Sequence, residues 1–191
     1  MESKRLTIRI SGGLLRGRLI DSPRPGRGVR PTTEKVKLAI FSILGNDEIV
    51  DNSVLDLYSC TGAIGIESIS RGAKFADFVE NKMVNYKLIN SNIKNLNIDK
   101  FAKVYRDNCL SYLNKINKEY GLIFADPPFE LNEWTDLMGL IMENKLLTKG
   151  GKLITESSKH VDLCEQYESI KLYDRRTYGD SKISFYEVIN D

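Results

Sequence analysis

The sequence predicts an open α/β fold: a mostly parallel seven-stranded sheet with an antiparallel last strand, helices on both faces, and a β-hairpin extension in front. Three observations carry this prediction. Beyond residue 50, short apolar or β-branched runs alternate with stretches of helical period, the pattern of a doubly wound sheet. The last two apolar runs have no helix between them, so they pair antiparallel. The first thirty residues differ in character, with two strand patterns followed by a Pro/Gly/Arg stretch that reads as a linker.

The elements follow in order. Leu6-Thr7-Ile8-Arg9-Ile10 alternates as a strand, Ser11-Gly12-Gly13 turns, and Leu14 to Ile20 returns as a second strand. Ser22 to Gly28 is the linker-like loop. A helix begins after Pro31-Thr32-Thr33, with threonine as N-cap; Val36, Ile40, Ile43 and Leu44 mark its apolar face and Gly45 stops it. Strand 53–57 leads through Thr61-Gly62 into a helix that ends near Arg71-Gly72. Strand 75–79 precedes an amphipathic helix over 83–96, and strand 102–105 precedes a helix over 110–116. Leu122 to Ala125 is a short buried strand, followed by a helix near 137–142 and a strand over 152–155 after Gly150-Gly151. Segments 170–173 and 183–189 close the sheet. The organisation is therefore a basic hairpin extension over 1–30 and an α/β domain over 31–191.

Composition narrows the function classes. The chain has 191 residues, 41% hydrophobic and 28% charged, enough for a packed core without metals or disulfides and too apolar for wholesale disorder. Three scattered cysteines (Cys60, Cys109, Cys164) and one histidine, His160, offer neither a disulfide framework nor a metal cluster. No apolar run is long enough to span a bilayer, which with the free cysteines points to a soluble, cytoplasmic protein. The net charge of +2 hides an asymmetry: residues 1–37 hold ten basic and three acidic residues, the remainder 18 basic and 23 acidic. Such an arm suits a polyanion, although a solvated tail has the same composition.

Two stretches carry chemistry. In Val54-Leu55-Asp56-Leu57-Tyr58-Ser59-Cys60-Thr61-Gly62-Ala63-Ile64-Gly65, an apolar strand ends in a carboxylate and a tight turn opens a helix. Such a turn lets backbone approach a ligand and aims helix N–H groups at it, though a plain strand–helix connection reads similarly. Glu80, ending the next strand, is placed to accept from two ribose hydroxyls, and Asp107 beyond the third strand to reach an adenine amino group. The second stretch is Asp126-Pro127-Pro128-Phe129. Prolines fix the backbone so that the Asp126 carboxylate and the Pro127 carbonyl stand as paired acceptors for one exocyclic amino group, with Phe129 as a stacking face. Trp134 and Tyr58 read mainly as packing residues beside these motifs.

Asp126 to Phe129 matches the D-P-P-Y/F signature of S-adenosylmethionine-dependent amino-methyltransferases, and residues 54–65 resemble their glycine-rich first motif. More narrowly, Arg9-Ile-Ser-Gly-Gly, Arg30-Pro-Thr-Thr-Glu-Lys-Val-Lys, Ala39-Ile-Phe-Ser-Ile-Leu and the late Tyr178-Gly-Asp-Ser-Lys-Ile-Ser-Phe-Tyr resemble the blocks of the RsmD family. That family methylates a guanine N2 in bacterial 16S rRNA. The resemblance implies a Rossmann-like class I methyltransferase fold and S-adenosylmethionine as methyl donor. It also implies 16S rRNA or the small ribosomal subunit as partner; the residues themselves lead us to expect no membrane and no metal, and a monomer is the default for an oligomeric state the sequence leaves open. It assigns Asp56, Thr61, Gly62, Gly65, Glu80 and Asp107 to the donor, Asp126, Pro127 and Phe129 to the target base, and Arg9, Arg16, Arg18, Arg30 and Thr33 to rRNA. One residue departs from the pattern: Cys60 stands where the family usually has glycine, which matters if the loop needs a positive φ there. Two other readings use the same residues: a DNA adenine-N6 methyltransferase, and an RNA-binding assembly factor whose donor site has decayed through Cys60.

Overall fold

A computed structural model describes residues 6–23 and 34–189. The elements are β1 (Leu6–Arg9), β2 (Leu19–Ser22), α1 (Glu34–Leu44), β3 (Ser53–Leu57), α2 (Ala63–Ser70), β4 (Phe75–Val79) and α3 (Met83–Leu96). They continue with β5 (Ala102–Tyr105), α4 (Cys109–Leu113), β6 (Tyr120–Ala125), α5 (Trp134–Glu143), β7 (Leu147–Ser158), β8 (Gln166–Tyr167), β9 (Ile170–Tyr178) and β10 (Ser181–Val188). The main sheet has the order β5-β4-β3-β6-β7-β10-β9-β8. Strands β3 to β7 pair parallel, while β10 runs antiparallel to both β7 and β9. The strand order reverses between β3 and β6, and in open α/β sheets ligands bind at the carboxyl ends of the strands at such a switch point.

Two apolar layers cover the sheet. One packs α1, α2, α3 and the hairpin residues Ile10 and Ile20 against one face; the other packs α4 and α5 around Tyr120, Leu137 and Ile141 on the opposite face. Strand β6 is buried at every position, which is why it reads as an unbroken apolar run rather than an alternating one.

Three sequence expectations change. The sheet has eight strands among the described residues, because the two-residue β8 pairs with the start of β9. Strand β7 is longer than the expected 152–155, running through Gly150-Gly151 with a register shift against β6 between Tyr120 and Leu122. The returning hairpin strand begins at Leu19 rather than Leu14. Residues 14–17 turn instead, because the Leu14 N–H donates to the Ser70 carbonyl at 2.7 Å and the Leu15 N–H to Ser70 Oγ at 2.9 Å. Gly13 allows this approach: its φ is 75°, and a Cβ there would run into the Ser70 carbonyl.

The hairpin is locked to the domain through a buried ion network. Glu67 of α2, fully buried, accepts from Lys37 Nζ at 2.6 Å, from the Ser11 N–H at 2.9 Å, from Ser11 Oγ at 2.6 Å and from Arg71 Nε at 3.0 Å. Lys37, equally buried, also donates to the Arg9 carbonyl at 2.6 Å. These hydrogen bonds hold the Glu67 carboxyl below the usual carboxylate range despite burial.

Candidate active site

The carboxyl ends of β3, β4, β6 and β7 surround a cavity of about 540 Å³. Cys60, Glu80, Asn85, Asn108, Asp126, Pro127, Phe129 and Glu156 are among the residues that line it. A narrower cleft of about 40 Å³ continues inward between Asp56, Thr61, Phe124 and Ile154. Tyr58, Cys60, Asp126 and Glu156 line both, so they stand where the two spaces meet.

The turn between β3 and α2 is built from alternate left-handed residues: Tyr58, Cys60 and Gly62 have φ of 57°, 50° and 75°. This crankshaft brings the Gly65 N–H onto Asp56 Oδ2 at 3.0 Å and the Cys60 N–H onto Glu80 Oε2 at 3.0 Å. Gly65 must lack a side chain because a Cβ there would strike the Phe78 ring. Cys60 thus occupies a conformation that favours glycine, at a cost of about 1–2 kcal/mol. Burial and the charges of Glu80, Asp126 and Asp56 push its thiol up to about 12, so it is a thiol and not a thiolate at neutral pH.

The carboxylates have unlike surroundings. Asp56 is buried, and among the described residues its carboxylate draws one hydrogen bond, from Gly65. Burial, with a smaller contribution from the charge on Glu80, raises it to about 8. Glu80 is well satisfied: besides Cys60 it accepts from the Lys82 N–H at 2.7 Å and from Asn85 Nδ2 at 3.3 Å. These contacts fix the Glu80 carboxylate in the wall of the cavity that it lines. Asp107 caps its neighbour's N–H at 2.9 Å and pairs with Lys115 at 3.1 Å on the rim, while the adjacent Asn108 lines the cavity. Thr61 Oγ1 accepts from the Ala63 N–H at 3.3 Å inside the cleft.

On the opposite wall, Asp126, Pro127 and Phe129 line the cavity together, and Phe129 is 38% exposed. The loop they open is tied back to the β3 turn, because Tyr58 donates its hydroxyl to Glu133 Oε2 at 2.6 Å. Tyr58 therefore joins the two motif loops rather than merely packing between them. Glu156, which sequence reasoning missed, lies in the buried run of β7 beside Asp126 and accepts from Ser181 Oγ at 2.6 Å. A signal for it was present: like Asp56, Glu80 and Asp126, it is a carboxylate at the end of an apolar strand.

The basic positions lie apart from this cavity. Arg9, Arg16 and Arg18 are exposed along the hairpin. Arg9 Nη1 donates to the Gly17 carbonyl at 3.1 Å and Arg18 Nη2 to the Asn95 carbonyl at 3.3 Å. Arg30 and Thr33 lie outside the described residues. Among the described residues no cluster of metal-ligating side chains is present, and no helix is long and apolar enough to cross a membrane.

Comparison with known proteins identifies the fold and the family. A family model described as Conserved hypothetical protein 95 matches residues 8–187. The ribosomal RNA small subunit methyltransferase D of Escherichia coli K12 is 31% identical over 188 residues, covering 91% of this chain and 93% of its own. The protein of the same name from Buchnera aphidicola subsp. Acyrthosiphon pisum is 33% identical over 157 residues, covering 82% of this chain and 81% of its own. Among solved structures, yhhF of Escherichia coli, named as a candidate methyltransferase, superposes with a TM-score of 0.83 at 28% identity, covering 95% of this chain and 98% of that one. The fold is thus the Rossmann-like class I methyltransferase fold. This chain belongs to the Conserved hypothetical protein 95 family, the family of the RsmD methyltransferases.

Proposed function

We propose that the chain transfers a methyl group from S-adenosylmethionine to the exocyclic N2 amino group of a guanine in 16S rRNA. The observation that carries this reading is the single cavity in which Asp126, Pro127 and Phe129 face the β3 turn. Asp56 and Glu80 border the β3-turn side of that space, an electrostatic match for a donor that carries a sulfonium and an ammonium. When bound, the donor supplies an electrophilic methyl: the S–CH3 bond breaks with its electron pair left on sulfur, the N2–CH3 bond forms, and one N2 proton is lost. Asp56 and the Gly62–Gly65 turn take the donor's polar groups, with Asn108 and Asp107 at its base and Glu80 holding the wall. Asp126 and the Pro127 carbonyl orient the amino group so that its lone pair points at the methyl, and Phe129 stacks the flipped base.

The test is methyl transfer from labelled S-adenosylmethionine to small ribosomal subunits and naked rRNA, with nucleoside analysis of the product. N2-methylguanosine is the expected product. Asp126→Ala should lower the transfer rate at least about 100-fold with donor affinity unchanged, since a preorganised group at the reacting centre contributes on that scale. A rate within a few-fold of wild type would refute the role. Methyladenine in a DNA digest would favour the DNA reading, and absent donor binding the assembly-factor reading.

The division of labour we propose gives 1–30 to RNA and 31–191 to chemistry. Deleting the arm is a poor test, because Lys37 and Glu67 would lose buried partners. Arg16→Glu with Arg18→Glu leaves those partners in place. It should weaken rRNA binding severalfold and make the salt dependence shallower, by about one unit of slope per lost phosphate contact, while sparing donor affinity.

A further inference from the structure

We infer that Glu156 reads the base: its carboxylate accepts the N1–H of the target guanine beside the amino group held by Asp126, and so selects guanine over bases with an acceptor at N1. The inference rests on the guanine-N2 reading above and goes beyond it, since that reading uses only the Asp126 to Phe129 motif.

Position is the first argument. Parallel pairing of β6 and β7 sets Ala125 opposite Thr155, so the next residues along, Asp126 and Glu156, emerge side by side on strands about 4.8 Å apart. Both residues line the main cavity and the inner cleft. The carbon that bears the guanine amino group lies between N1 and N3, and in the proposed pose the N1–H side is turned towards β7, where it meets Glu156.

Orientation is the second. Glu156 is only 7% exposed, and the Ser181 hydroxyl, itself buried at the start of β10, donates to Glu156 Oε1 at 2.6 Å. The serine fixes Oε1 in place and so sets the plane of the carboxylate. The antiparallel register of β10 on β7, with Ser181 opposite Ser158 and Ile183 opposite Glu156, fixes this contact from a neighbouring strand. The carboxylate is therefore preorganised and acceptor-only in its ionised form.

Chemistry is the third. Guanine presents two adjacent donors on its Watson–Crick edge, N1–H and N2–H, and two carboxylates side by side match both. Adenine and 2-aminopurine present a lone pair at N1, which a carboxylate repels. A site built to accept a hydrogen bond rejects an analogue lacking the donor far more strongly than an apolar pocket can.

The experiment uses full-length protein and small-subunit rRNA in which the guanosine mapped with wild type is replaced, by ligation, with 2-aminopurine ribonucleoside. This analogue keeps the 2-amino group and loses N1–H. Wild type should prefer guanosine by at least about 100-fold in kcat/KM. In Glu156→Gln, whose amide can accept from N1–H or turn and donate to a bare N1, that preference should fall below tenfold with donor affinity unchanged. Glu156→Ala, a second variant in case the first misfolds, should lose the preference as well, because nothing then repels the N1 lone pair. A preference that persists in variants still binding donor overturns the inference and leaves the guanine-N2 reading standing. Failure of wild type to yield N2-methylguanosine overturns both.

Discussion

The two ends of helix α2 each bury a carboxylate, and they treat it in opposite ways. At the carboxyl end, Glu67 is surrounded by Lys37, Arg71 and both polar groups of Ser11, and its proton affinity is lowered. At the amino end, Asp56 meets one backbone N–H and the negative charge of Glu80, and its proton affinity rises to about 8. Glu67 is fully compensated by the fold and serves to dock the hairpin. Asp56 is left under-compensated, a cost tolerated where a cationic ligand completes the charge balance. One eight-residue helix thus docks the hairpin at one end and opens the cavity turn at the other.

Breaking the compensated end should have the largest effect. Glu67→Ala strands the buried Lys37 ammonium and should cost about 3–5 kcal/mol of stability, read as a lower denaturant midpoint. Acid should do the same more gradually: a lowered carboxyl stabilises the fold above its unfolded pKa of 4.5 and loses that contribution as pH falls through the folded value. The Asp56 end has the opposite sign. A carboxyl raised to about 8 stabilises the empty protein at acid pH and loses this as pH rises through about 8.

Donor binding sharpens the comparison. Asp56 must ionise to receive a cation, so donor affinity should increase as pH rises towards 8, by up to about tenfold per unit, with proton release detectable by calorimetry in buffers of different ionisation enthalpy. Asp56→Asn keeps an oxygen for the Gly65 N–H, so it should flatten this pH dependence, weaken donor binding about tenfold or more, and leave stability unchanged or higher. The smallest effect is expected at Cys60. Cys60→Gly should relieve left-handed strain and raise stability by about 1 kcal/mol or less, because glycine also gains freedom in the unfolded chain. Donor affinity equal to wild type in that variant would show that the thiol leaves room for the donor, against the assembly-factor reading.

Much of this was legible in the chain. The alternation from Ser53 onwards predicts β3 to β7 in order, and the helix over 83–96 matches α3 at both ends. Helix α4 covers Cys109–Leu113 rather than 110–116; it starts earlier because Asn108 caps it, accepting from the Ser111 N–H at 3.0 Å, and stops three residues sooner. The hairpin was legible only in part: residues 14–17 have strand-like composition, but their backbone donors go to Ser70, which is distant in sequence. The positive φ of Cys60, posed as a question by a missing glycine, is met in the structure.

What the sequence by itself determined are features with a local signature. Apolar runs ending in Asp56, Glu80 and Asp126 mark strand ends, prolines rigidify the acceptor pair, and the arginine-rich opening separates arm from body. Tertiary structure alone decided which carboxylates are compensated. Lys37, Ser11 and Glu67 meet from three elements, Glu133 reaches Tyr58, and Ser181 reaches Glu156 from the inserted antiparallel strand β10. A charge carries no periodic trace of its partner, and its energy inside a protein depends on burial and on the groups brought beside it from afar.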